Sequence, residues 1–194
     1  MLIQRPISAV HWARVFIYPV LKNGTRAVDA TAGNGHDTLF LAENTGPDGH
    51  VYALDLQEQA LQETKIRINA AGFSHKVTLL LEGHQNLGKL VHHEVDAVMF
   101  NLGYLPGSDR TVITTPENTR DGILAALPIL RPGGRMSIVV YTGHAGSREE
   151  SQIVASLLGG LDLKDFNVQK MLFWNSVIES PELYFVTRTG GPNG

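Results

Sequence analysis

The chain has 194 residues, 43% hydrophobic and 18% charged, enough apolar side chain for one folded core. No apolar run approaches the ~18–20 residues of a membrane span, and zero cysteines exclude disulfides and thiolate metal sites. A formal net charge of −3 excludes a uniformly basic nucleic-acid surface, so any RNA contact needs a local basic patch.

Apolar spacing predicts a lead-in helix over residues 7–21, within an N-terminal segment 1–22, kinked or ended early by Pro19. Asn23-Gly24 closes it. A strand follows over 27–30 and a helix over 36–43, then a turn cluster over 44–49. The second strand is read over 50–54, with a helix over 57–71. The third strand covers 76–81, with a short helix near 85–91, and the fourth covers 95–100. Residues 101–115 make a connection too long to be plain, which marks it as functional. A helix over 116–127 has Pro116 in its first turn. A tight turn over 131–134 leads to a fifth strand over 135–141, and a helix over 147–158 carries a capping box, Ser147-x-x-Glu150. Strands over 166–173 and 183–187 end the chain, with a disordered tail expected over 189–194.

Five alternating strand–helix units predict an α/β fold: a mostly parallel seven-stranded sheet, helices on both faces, Rossmann-like. No helix separates the last two strands, so the last strand is expected to run antiparallel. No repeat or linker interrupts the pattern, so residues 1–194 read as a single domain. Nothing resembling a signal peptide is seen, and the expected location is cytoplasmic.

The most informative stretch is Val28-Asp29-Ala30-Thr31-Ala32-Gly33-Asn34-Gly35-His36-Asp37-Thr38. A buried strand ends in a glycine turn that opens a helix, whose first N–H groups and positive dipole end face a ligand. Asp55 ends the second strand 22 residues after Gly33, the place for a carboxylate accepting ribose hydroxyls. Dinucleotide turns carry a third glycine that is absent here, and acids at the turn repel a pyrophosphate. S-adenosylmethionine, with its ammonium and sulfonium, suits Asp29 and Asp37. An NAD-binding oxidoreductase is the remote alternative, and Asp37 as a mere helix cap is the plainer reading of that residue.

Ligands in such sheets lie at the carboxyl ends of the strands. Those ends carry residues 29–37, Asp55, Glu82-Gly83-His84 and Asn101-Leu102-Gly103-Tyr104. His84 falls where an adenine ring is expected. Asn101 to Tyr104 resembles the Asn-Pro-Pro-Tyr signature of methyltransferases acting on exocyclic amines, with Leu-Gly replacing Pro-Pro. An Asn carbonyl accepts an amine N–H and aims its lone pair, and an aromatic stacks on a splayed base. Asn101 as a plain turn residue and Tyr104 as loop packing are the alternatives. Tyr141 to Gly146, including His144, faces the same edge and suits a substrate mouth or a plain glycine loop. Arg110, Arg120, Arg131, Arg135 and Arg148 are the basic-patch candidates. The other histidines lack ligand spacing, so no metal site is expected.

Residues 29–38, Asp55-Leu56-Gln57, Glu82-Gly83-His84 and Phe100 to Gly107 together resemble the small bacterial proteins long filed as rRNA methylases. These are now understood as tRNA wobble-uridine methyltransferases converting 5-aminomethyl-2-thiouridine to its N-methyl form. The resemblance spans nearly the whole chain. It implies S-adenosylmethionine as cofactor, held by Asn34, Asp37, Asp55, Gln57 and His84; Asp29, Gly33, Gly35, Thr38 and Gly83 complete the expected cofactor set. It implies Asn101 and Tyr104 on the acceptor side and a tRNA anticodon loop as substrate; Arg110 of the basic-patch candidates and His144 of the loop after the fifth strand are further candidate substrate contacts. Alternatives on the same fold are an rRNA or small-molecule amine methyltransferase and a non-catalytic binding module. A homodimer using residues 7–21 or the last strands is left open.

Overall fold

The computed structural model describes residues 8–103, 115–142, 147–176 and 180–190. Helix α1 (Ala9–Ile17) starts at Ser8, whose hydroxyl accepts from the His11 N–H at 3.2 Å. Its buried residues Ala9, Ala13 and Ile17 recur every four positions, one stripe facing the sheet. Pro19 sits in the 3₁₀ turn Tyr18–Val20 that ends it, as the sequence predicts.

The remaining elements follow in order: β1 (Arg26–Asp29), α2 (His36–Asn44), β2 (His50–Asp55), α3 (Glu58–Ala70), β3 (Val77–Leu81), α4 (Leu87–Leu90), β4 (Val95–Leu102), α5 (Pro116–Ile129), β5 (Leu130–Val140), α6 (Ser147–Gly159), β6 (Phe166–Met171) and β7 (Glu182–Arg188). The strands form one seven-stranded sheet in the order β3-β2-β1-β4-β5-β7-β6. Five are parallel neighbours, and β7 runs antiparallel to both β5 and β6. Strand order reverses between β1 and β4, which opens a crevice at their carboxyl ends.

The sheet is buried on both faces. Ala27, Val51, Ala97, Met99 and Val139 pack under α1, α2 and the Ile68 end of α3. Val28, Leu54, Phe100, Ile138 and Val140 pack under α4, α5 and α6. Because side chains alternate along a strand, Asp29, Asp55 and Asn101 share the first of these faces.

Three details depart from the sequence expectations. β5 starts at Leu130, so the predicted turn over 131–134 lies inside the strand as an irregularity: Leu130 pairs with Val95, and Arg135 pairs with Ala97. Gly133, at φ +75°, absorbs the extra residues. α5 continues past Leu127 through Pro128, and the Arg188 guanidinium donates to the Pro128 carbonyl at 3.2 Å. Thr189 was expected in the loose tail, yet its N–H donates to the Asp165 carbonyl at 2.8 Å. Residues 191–194 lie outside the described residues.

Candidate active site

The glycine turn is braced by hydrogen bonds from α3 and β2. Gly33 and Gly35 sit at φ +51° and +75°, the left-handed region. The Thr64 hydroxyl of α3 donates to the Gly33 carbonyl at 2.9 Å, and Arg67 Nε donates to the Asn34 carbonyl at 2.6 Å. A Cβ on Gly35 would stand 2.8 Å from Thr64 Cα, so this glycine is needed for helix contact as well as for its backbone angle. Asn34 and His36 are exposed on the outer side of the turn. Burial and the charges of Arg67 and Arg14 hold the His36 pKa below its usual value.

Asp29 and Thr38 lie behind the turn, not on its open side. Both are buried, and the Thr38 hydroxyl donates to Asp29 Oδ2 at 2.6 Å. Thr38 thus occupies the position where a dinucleotide turn carries its third glycine, and it replaces close backbone contact with a buried hydrogen bond. The Thr31 N–H donates to Asp29 Oδ1 at 3.2 Å. Burial, reinforced by the nearby Asp37 charge, pushes the Asp29 carboxyl up to about 7. Asp37, in the first turn of α2, is nearly buried and paired with Arg14 of α1 at 2.7 Å.

Asp55 ends β2 with each carboxylate oxygen accepting one backbone N–H, Gly33 at 2.9 Å and Gln57 at 2.9 Å. Each oxygen keeps a second lone pair for a ribose hydroxyl. Gln57 is the N-cap position of α3. At the tip of β3, Gly83 is buried, and a Cβ there would meet the Gln85 carboxamide. His84 is 3% exposed and packs edge-on against Phe100 at 5.5 Å, so it faces the core beneath α5 and not an open rim. Burial pushes its imidazole down to about 4, against the pull of the Ala30 and Asn118 backbone.

At the tip of β4 the Asn101 N–H donates to the Thr31 hydroxyl at 2.8 Å. The Asn101 Oδ1 atom is buried with no hydrogen-bond partner, an acceptor waiting for a donor. Tyr104, Arg110 and His144, with most of the 101–115 connection, lie outside the described residues. Among the described arginine candidates, three are engaged within the chain. Arg131 pairs with Asp96, and Arg135 donates to the Phe16 carbonyl at 2.7 Å, both at the amino end of β5. Arg120 pairs with Asp121 at 2.8 Å. A groove of about 380 Å³ lined by Leu158, Leu163, Phe166 and Val168 opens beside β6, away from this edge.

Sequence reasoning missed Thr31, Thr64, Arg67 and Arg14. Thr31 carried a local signal, standing two residues after Asp29 in an Asx-type turn. The others act across 23 to 33 residues of sequence, with no local pattern to flag them. Among the described residues, no three His, Cys, Asp or Glu side chains group to hold a metal. No described helix is long and apolar enough to cross a membrane.

This donor set fits S-adenosylmethionine. A carboxyl raised by burial and by a second acid gains from a nearby cation, and Asp55 has lone pairs to spare for a ribose. A pyrophosphate would instead meet three carboxylates. Residues 51–187 match the family model described as "Putative rRNA methylase". The chain is 37% identical over 189 residues to the tRNA (mnm(5)s(2)U34)-methyltransferase, chloroplastic, of Arabidopsis thaliana, covering 92% of this chain and 69% of that protein. The crystal structure of a "putative rRNA-methylase" from Clostridium thermocellum superposes with a TM-score of 0.91 at 36% identity, covering 95% of this chain and 100% of that one. A "putative methyltransferase" from Streptococcus mutans in complex with SAH gives a TM-score of 0.85 at 36% identity, over 96% and 99% of the two chains. The acid-lined glycine turn, the ribose-ready Asp55 and these relatives lead to one assignment: the chain belongs to the rRNA methylase family and is an S-adenosylmethionine-dependent methyltransferase.

Proposed function

We propose that this enzyme N-methylates the 5-aminomethyl group of 5-aminomethyl-2-thiouridine at the tRNA wobble position, giving 5-methylaminomethyl-2-thiouridine. The observation that carries the reading is the buried, donorless Oδ1 of Asn101 at the tip of β4. A primary amine brings N–H donors to that atom, whereas an oxygen or carbon acceptor brings at most one or none. The name of the Arabidopsis relative supports the same acceptor.

S-adenosylmethionine supplies an electrophilic methyl group and a neutral sulfur leaving group. The chain's part is placement. Thr31 anchors the Asn101 backbone at 2.8 Å, which fixes where the carboxamide stands. The Asn101 carbonyl takes one amine N–H and turns the nitrogen lone pair toward the methyl carbon. An ammonium has no lone pair, so the amine must react in its neutral form. Nothing stronger than positioning is asked of Asn101, because the extra proton leaves after transfer. A wobble base is already unpaired, so extruding it costs less than opening a duplex.

The test is mass spectrometry of nucleosides from tRNA lacking the final methyl, incubated with enzyme and S-adenosylmethionine. Appearance of the N-methyl nucleoside is expected. Tight cofactor binding without conversion would point to a different amine, in rRNA or a small molecule. In the same assay Asn101→Ala should keep cofactor affinity and lower turnover roughly 10²-fold, the effect of losing orientation. Loss of folding in that variant, read by circular dichroism, would make Asn101 structural instead.

A further inference from the structure

The acceptor side needs more than a carboxamide. A pyrimidine is flat and apolar on both faces, and Asp29, Asp37, Asp55 and Asn101 are all polar. One aromatic among the described residues stands at this edge outside the roles assigned so far. Tyr141 directly follows β5, and its N–H donates to the Leu102 carbonyl at 3.0 Å, which locks its backbone to the tip of β4. Val139, two residues before it, pairs with Asn101 across the strands. The pleat therefore sends Tyr141 to the same sheet face as Asn101.

Gly103 makes room for the ring. A Cβ at that position would stand 3.1 Å from Tyr141 Cδ2 and 3.5 Å from its Cβ and Cγ. The ring rests against bare backbone and still leaves Tyr141 37% exposed. Burial, then the charge of Asp37, raises the phenol pKa, so the hydroxyl stays protonated and lies within reach of that carboxylate's field. Tyr141 thus stands at the end of β5 against the tip of β4. An exposed aromatic on a glycine floor, beside an unpaired acceptor, is what a base needs to stack upon.

We infer that Tyr141 is a wall of the acceptor site, its ring stacking on the planar base whose amine Asn101 receives. The inference rests on the proposed base substrate, and goes beyond it by assigning recognition to a residue of the β5 tip. A base held on one face by Tyr141 and at its amine by Asn101 has both its plane and its reacting atom fixed. A planar ring is then required of the acceptor, and an aliphatic amine is a poor substrate.

The test compares wild type with Tyr141→Phe, Tyr141→Leu and Tyr141→Ala on tRNA lacking the final methyl. Phe should keep KM for tRNA. Leu and Ala should raise it about tenfold or more, the size of one base–aromatic stack, with cofactor Kd unchanged. Leu preserves packing on Gly103 and so covers a failure of Ala to fold. A direct readout is near-ultraviolet cross-linking of an anticodon stem–loop carrying 2-thiouridine at the wobble position, with the adduct mapped by mass spectrometry to residue 141. Methylation by wild type with an unchanged KM in Leu and Ala, or without an adduct at residue 141, overturns the inference and leaves the reaction standing. An adduct at residue 141 without methylation keeps the stacking wall and overturns the reaction. Neither adduct nor methylation overturns both.

Discussion

Two residues, one ending β1 and one in the turn after it, show how local chemistry sets both stability and binding. At Gly35 a methyl group faces two penalties: the left-handed backbone angle and Thr64 at 2.8 Å. Gly35→Ala should therefore destabilise by roughly 1–3 kcal/mol in a urea melt, although an ordinary glycine-to-alanine change lowers the entropy of the unfolded chain. Asp29 is the second case. Folding raises its carboxyl from 3.8 to about 7, so the folded chain keeps a proton that the unfolded chain has lost. The contribution of this group to stability falls as pH climbs through that window and is flat above about 7. A cationic cofactor reverses the preference by favouring the charged carboxylate. Its Kd should fall as pH rises through about 7, with one proton released on binding, and Asp29→Asn should flatten the profile. Titration calorimetry across that range reads both, and a pH-independent Kd in the wild type would sink the idea.

Among the elements, α5 carries a sequence feature whose usual sign is inverted. Glycine inside a helix normally costs about 1 kcal/mol against alanine. Gly122 lies inside α5, yet a Cβ there would come 2.3 Å from His84 Cδ2, in a buried contact with no room to give. Overpacking outweighs propensity, and Gly122→Ala should lower stability by about 1–3 kcal/mol. Adding His84→Ala should recover part of that loss, and additive effects in the double variant would disprove the contact. The same helix shows what a sequence hides. Its start was legible from Pro116 after Thr115, whose hydroxyl accepts the Asn118 N–H at 3.2 Å. Its end was not, because Pro128 reads as a stop yet lies inside the helix, one residue before its last. The strands were legible because apolar runs between glycine turns leave little choice. The start of β5 was not, since Arg131-Pro132-Gly133-Gly134 has turn chemistry inside a paired strand. Asp55 and Asn101 could be placed from strand ends alone. The inward turn of His84 depended on a cleft that Gly122 leaves 38 residues away.

For the molecule as a whole, the sheet gathers chemistry onto one edge and one face. The acids that suit the cofactor come from β1 and β2, the amide proposed for the acceptor from β4, and the aromatic proposed to stack from the end of β5. The Asx-type turn at Thr31 was a local signal, but its reach to Asn101, 70 residues on, was not. Thr31 gives its N–H to Asp29 and receives the N–H of Asn101 on its hydroxyl. Asp29, which suits the cofactor's charge, and Asn101, proposed to receive the amine, are therefore joined through a single side chain. Such a joint makes the two occupancies speak to each other. If a bound cofactor product changes the affinity for tRNA by some factor, tRNA must change the affinity for that product by the same factor. Thr31→Val, which keeps shape and removes the oxygen, should bring that factor toward one. Binding tRNA with and without S-adenosylhomocysteine, in both proteins, measures it. An equal factor in the two would mean that the sites are independent. A factor that shrinks in the variant would make this small hydroxyl the element that sets the order in which the enzyme fills and empties.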